Sequence, residues 1–185
     1  MDVIEEWHGI LTDLVDRSKS PRLSKRRISL KIRPGRWWPL WLPYIWLIPL
    51  QNTFTIGRLI VIGRGLDALP VGGKRYIIAH ELGHIAWRHG AKATAGLAII
   101  AVSLVINVPL VSLAMFVFGV CMVMLTRHYA EYQADRFAVR LIGPDAVLEG
   151  MREIDEHLKR RPSALRKNRM AALQKMTIHK RMEID

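Results

Sequence analysis

The chain has 185 residues, 50% of them apolar and 24% charged, with 28 Lys and Arg against 16 Asp and Glu for a formal charge of +12. That length supports one domain with its own core and excludes two ordinary ones. The lone cysteine, Cys121, excludes an intrachain disulfide, and strong positive charge on a half-apolar chain favours an anionic membrane surface over nucleic acid as partner.

The N-terminus, Met-Asp-Val-Ile-Glu-Glu, is acidic and lacks the basic-then-apolar pattern of a secretory leader, so a cytosol-facing protein is expected. Val3, Trp7, Ile10 and Leu14, joined by Ile4, Leu11 and Val15, form a helical stripe, and Asp2 and Glu5 are spaced as a capping pair; the pattern predicts a helix over 2–17. Residues 17–36 hold nine basic side chains and no acidic one. They read either as a solvated linker followed by a short alternating strand over 27–33 or as a contact for anionic lipid.

Residues 37–46 contain four tryptophans and a tyrosine, and three prolines between 39 and 49 argue against a continuous helix there. Such a stretch suits the aromatic belt of a membrane interface or the cover of a small sheet. Residues 53–63 are rich in β-branched side chains bounded by glycine and predict one or two strands, and 67–73, with Pro70, Gly72 and Gly73, predicts a turn. The residues are equally compatible with an edge strand, free to pair with a peptide backbone, and with an internal strand that has no exposed edge.

Residues 79–90 read Ala-His-Glu-Leu-Gly-His-Ile-Ala-Trp-Arg-His-Gly and contain H-E-x-x-H. On a helix His80 and His84, four apart, share a face and can hold one zinc ion, and Glu81 beside them is placed to take a proton from water. Ile78, Leu82 and Ile85 predict a packing face opposite the histidines, and Gly90 predicts the stop.

No charged residue occurs over 93–126. One straight helix of that length would be about 50 Å long against an apolar bilayer core of about 30 Å, so a break at Asn107 and Pro109 predicts a hairpin of two short arms. The hairpin is either inserted in a membrane or buried in a soluble fold. Residues 128–138 predict a further helix ended by Gly143-Pro144, on which Glu131 and Asp135 share a face. One of them can ligate the metal while the other orients a ligand histidine, with His128 as a competing ligand. Two more helices are expected over 145–159 and 163–176.

The pairing of A-H-E-L-G-H with the later E-Y-Q-A-D-R-F-A resembles the HtpX-like and CAAX-prenyl-protease-like zinc metallopeptidases, gluzincins with H-E-x-x-H and E-x-x-x-D motifs. The resemblance implies one zinc per chain held by His80, His84 and Glu131, with Glu81 as catalytic base and Asp135 behind the ligands. Asn52, Phe54 and Gly57 match the family's strand before the zinc helix and are the implied substrate-binding residues. Where the family often carries His-Pro and then an Arg, this chain has Arg161-Pro162 and then Arg169, which leaves Arg169 as candidate for the oxyanion and no counterpart of the histidine. The N-terminal membrane helices of HtpX also lack a counterpart, which implies anchoring through the hairpin and the aromatic stretch.

The expectation is therefore an α+β, mainly helical fold: a single domain over 1–185, with a small sheet beside the H-E-x-x-H helix and a central apolar hairpin over 93–126. The implied activity is a membrane-associated zinc endopeptidase acting on peptides or proteins. The alternative is a zinc-binding sensor of the same fold with little turnover. Because His84 and Glu131 must meet, the segment between them has to return to the side it left, and Arg88, Lys92 and Arg127 at its ends put that side, with the site, in the cytoplasm.

Overall fold

The structure, a computed structural model, describes residues 3–20, 23, 28–32, 53–63, 65–159 and 161–182. The tryptophan-rich stretch, Asn52, and most of the basic run lie outside the described residues, as does the side chain of Phe54. The described part is mainly helical with one small sheet, as the sequence predicts.

Helix α1, Val3–Ser18, buries Trp7, Leu11 and Leu14 from the expected stripe and carries Glu5 and Glu6 in its first turn, where the helix dipole favours acid. Strands β1 (Ser29–Ile32), β2 (Phe54–Ile56) and β3 (Leu59–Ile62) form one sheet in the order β1-β3-β2. β3 runs parallel to β1 and antiparallel to β2, with Thr55 opposite Ile60. A two-residue connection, Gly57-Arg58, joins β2 to β3, and Gly57 has a φ of +61°, which only glycine adopts without steric cost in such a tight hairpin. Ile60, Val61 and Ile62 are fully buried, so β3 is the sheet's centre and β2 its outer strand on the side of the functional residues.

Helix α2, Val71–Ala86, starts directly after Pro70, so Gly72 and Gly73 lie in its first turn rather than in the expected turn region. The reason is tertiary: the carboxylate of Glu153 accepts the otherwise orphaned N–H of Gly73. The sequence also predicts one packing face and one chemical face, whereas α2 is buried all round, with Tyr76, His80 and Glu81 enclosed along with Ile78, Leu82 and Ile85. α1 closes one flank: Lys74, itself buried, donates to Glu6 at 2.6 Å and lies over the Trp7 ring, while Arg75 meets Asp13 at 2.8 Å.

The expected stop at Gly90 is not where α2 ends. The helix closes at Ala86, Arg88 takes a left-handed conformation with φ of 53°, and α3, His89–Ser103, begins at once. Left-handed backbone costs a non-glycine residue about 1 kcal/mol, and the reversal it makes returns His89 to the side of His84.

After a link at 104–108, α4 runs through Pro109–Ile142 as one helix of 34 residues. The break falls where Asn107 and Pro109 predict it, with Pro109 at the first helical position. The second arm is not short, because it continues unbroken into the segment bearing Glu131 and Asp135. Ser112 ties the tip by donating to the carbonyl of Ser103 at 2.6 Å. Leu110, Val105 and Leu125 are 81%, 78% and 70% exposed, so the hairpin presents large apolar side chains to its surroundings from tip to base. Helices α5, Pro144–His157, and α6, Ala164–Met182, then pack behind α2. One hydrophobic cluster runs from Trp7 and Leu14 of α1 through Ile60, Ile78 and Leu82 to Met151 and Leu173.

Candidate metal centre

Two helices build the centre. The spacing of His80 and His84 on α2 turns both Nε2 atoms the same way, 3.1 Å apart. α4 approaches α2 closely because the residues at the crossing are small: Ala130, Ala134 and Ala138 are buried, and a Cβ on Gly83 would stand 2.8 Å from the Cα of Ala134. That approach carries the Glu131 carboxylate to the histidines, with Oε2 3.5 Å from His80 Nε2 and Oε1 3.7 Å from His84 Nε2. Donor atoms bound tetrahedrally at about 2.0–2.1 Å would be about 3.3 Å apart, and each pair of side chains approaches that spacing, Glu131 facing one histidine with each of its oxygens. Two imidazole lone pairs and a carboxylate converging in this way repel one another unless a proton or a cation lies between them. Two neutral imidazoles and one carboxylate form a donor set suited to zinc, and one donor atom from each of the three lies within 4.8 Å of the others.

A second layer fixes these groups. Asp135, 2% exposed, places Oδ1 at 2.9 Å from His80 Nδ1 and accepts from the Tyr76 hydroxyl at 3.1 Å. Arg169 of α6, also buried, grips the same carboxylate with Nε at 2.6 Å and Nη2 at 2.7 Å. Its Nη1 reaches Glu131 Oε2 at 2.5 Å, and Nη2 also donates to the Tyr76 oxygen at 3.0 Å. Behind His84 a different chain runs: His84 Nδ1 meets His89 Nδ1 at 2.9 Å, and His89 Nε2 meets Gln133 Oε1 at 2.9 Å.

The electrostatics follow this division. Burial by itself would depress the His80 pKa, but the carboxylates of Asp135 and Glu131 overcome it and raise it to about 9. For His84 burial prevails, aided by the charge on His80, and its pKa falls to about 3. Burial pushes Glu131 and Asp135 upward, yet their ion pairs with His80 and Arg169 hold both well below the usual carboxylate range. Without metal, one proton on His80 thus occupies the place between the donors.

Glu81 is 6% exposed and faces the sheet, where its Oε2 accepts from the Thr55 hydroxyl of β2 at 2.5 Å. Burial raises its pKa, while the His80 charge and the Thr55 hydrogen bond work the other way. A buried carboxylate with a raised pKa beside a metal site is suited to taking and returning a proton.

The structure brings His80, Glu81, His84, Glu131 and Asp135 together. His128 is exposed and stays outside the cluster. Gly57 lies at the exposed hairpin turn. Arg169, the candidate for the oxyanion, is engaged with Asp135, Glu131 and Tyr76. Thr55, Tyr76, His89 and Gln133 carry no signal in the sequence that joins them to this centre. His89 is hidden for a geometric reason, since on a continuous helix it would point about 140° away from His84, and only the reversal at Arg88 brings it back.

A family model described as Peptidase family M48 matches residues 52–177, from just before β2 through most of α6. No curated protein matches the chain, and no solved structure does.

Proposed function

The chain belongs to peptidase family M48, metallopeptidases that hydrolyse peptide bonds, and from that membership and the geometry above we propose a zinc-dependent endopeptidase whose centre is His80, His84 and Glu131. The observation that carries this reading is the convergence of His80, His84 and Glu131, one donor atom from each lying within 4.8 Å of the others, with the buried carboxylate of Glu81 beside them. One zinc per chain would supply charge to polarise water and the scissile carbonyl.

The protein's own groups do the remainder. Glu81 accepts a proton from the attacking water and passes it to the departing amine, and Thr55 holds the carboxylate in line by donating to Oε2. Asp135 keeps the His80 ring turned so that Nε2 faces the centre, and Arg169 offsets the paired charges of Asp135 and Glu131. β2, the outer strand, is the proposed track for an extended substrate, which would pair through its backbone and so tolerate many side chains. Asn52, Phe54 and Gly57, at and around this strand, are the proposed substrate-binding residues.

Membrane association is part of the proposal. Among the described residues α4 is the one helix long and apolar enough to cross a bilayer, and only 6% of its most apolar window is buried. The hairpin over 93–126 then enters the lipid, and the basic residues at its ends keep the centre on the cytoplasmic side.

Detergent-solubilised protein of known zinc content tests the reading by its cleavage of casein and of itself, compared with Glu81→Gln. Cleavage by the wild type that is lost in a variant retaining zinc is the expected result. Zinc bound without Glu81-dependent cleavage would replace it with the sensor reading.

A further inference from the structure

We propose that His89 is a positioning residue for His84, anchored in turn by Gln133, and that this neutral relay does for the second histidine what Asp135 does for the first. The proposal rests on the reading that His80, His84 and Glu131 hold a metal, and its direction follows from the partners of His89 in its neutral form. Gln133 turns its carbonyl oxygen, Oε1, to His89 Nε2 at 2.9 Å. A carbonyl oxygen only accepts, so His89 carries its proton on Nε2. A neutral His89 then offers a lone pair at Nδ1, and that atom lies 2.9 Å from His84 Nδ1. His84 must donate from Nδ1, which leaves the lone pair of its Nε2 facing the centre, 3.1 Å from His80 Nε2.

Each hydrogen bond along His84, His89 and Gln133 therefore fixes the next, and the last atom fixed is the metal-ligating nitrogen. The backbone supports the assignment. His89 opens α3 right after the left-handed Arg88, a conformation that costs a non-glycine residue free energy, and the ring so placed is only 5% exposed. Gln133 lies between Glu131 and Asp135 on α4, so one helix supplies a ligand, the anchor of His80 and the anchor of the relay. A ring present only to fill space would make no demand on which of its nitrogens bears hydrogen.

The test is the zinc dissociation constant, from competition with a chelator, for the wild type and for His89→Leu, His89→Asn, Gln133→Leu and Gln133→Glu in detergent. Asparagine keeps an acceptor near the position of Nδ1, and glutamate can only accept from His89. Loss of a partner behind a ligand histidine weakens metal binding by about 10- to 100-fold, so that loss is expected for the two leucine variants and near-complete recovery for His89→Asn and Gln133→Glu. Zinc binding by His89→Leu within about threefold of wild type would overturn the proposal, and so would Gln133→Glu as impaired as Gln133→Leu. Wild type without zinc would instead overturn the metal reading on which the proposal stands. Should the leucine variants fail to fold, ¹⁵N shifts of the wild-type histidines with zinc decide: hydrogen on Nε2 of His89 supports the relay, and hydrogen on Nδ1 refutes it.

Discussion

Loading the centre with zinc must expel the proton that occupies it. His80 holds that proton with a pKa of about 9, whereas His84, at about 3, is already neutral and Glu131 already ionised. The raised pKa of His80 means that the competing proton is fully bound at low pH and lost as pH rises through about 9. At pH 6 His80 is almost wholly protonated, and zinc uptake should release about one proton per chain. Apparent affinity should then rise about tenfold per pH unit, about 1.4 kcal/mol each, giving about a hundredfold between pH 6 and 8 and a plateau above about 9. Isothermal titration of chelator-stripped protein at pH 6, in buffers of differing ionisation enthalpy, gives the proton count directly. Asp135→Asn, which removes an anionic acceptor from His80 Nδ1, should lower the His80 pKa and flatten the slope between pH 7 and 8. Release of under about 0.3 proton at pH 6, or an affinity flat from pH 6 to 8, would refute the assignment of the proton to His80.

Three further changes probe the supports. Thr55→Val keeps the shape of the residue but removes the donor to Glu81; since that bond favours the ionised form, the acid limb of the pH profile of kcat/KM should move to higher pH, and an unmoved limb would contradict the role given to Thr55. Gly83→Val drives a side chain into the backbone of Ala134, whose Cα would lie 2.8 Å from the new Cβ, and should lower stability by about 1–3 kcal/mol in urea titrations while weakening zinc binding as Glu131 is displaced. Glu153→Ala leaves the Gly73 N–H at the start of α2 without its cap and should cost about 1 kcal/mol in the same titrations, with zinc stoichiometry unchanged.

Features set by local spacing were legible in the chain. The Trp7, Leu11 and Leu14 stripe marks α1, Asn107 and Pro109 mark the hairpin's tip, and Gly143-Pro144 ends α4, because each depends on residues within a turn or two of one another. The pairing of H-E-x-x-H with E-x-x-x-D led to the family that the match over 52–177 supports. What depends on distant partners was not legible. α2 starts early because Glu153, some eighty residues on, accepts from its first turn. Thr55 reaches Glu81 because β2 pairs with β3 in one register, and Arg169 joins the centre because α6 folds back upon Asp135. His89 escapes a local reading for a tertiary reason, since a left-handed arginine is not a stop that composition announces.

Zinc-edge X-ray absorption on the purified protein, with metal quantified per chain, tests the centre most directly. One zinc per chain, with two imidazoles and oxygen ligands at about 2.0–2.2 Å and an imidazole signal halved in His84→Ala, is the expected result. Sulfur in the coordination shell, or a wild-type spectrum that His84→Ala leaves unchanged, would contradict the account.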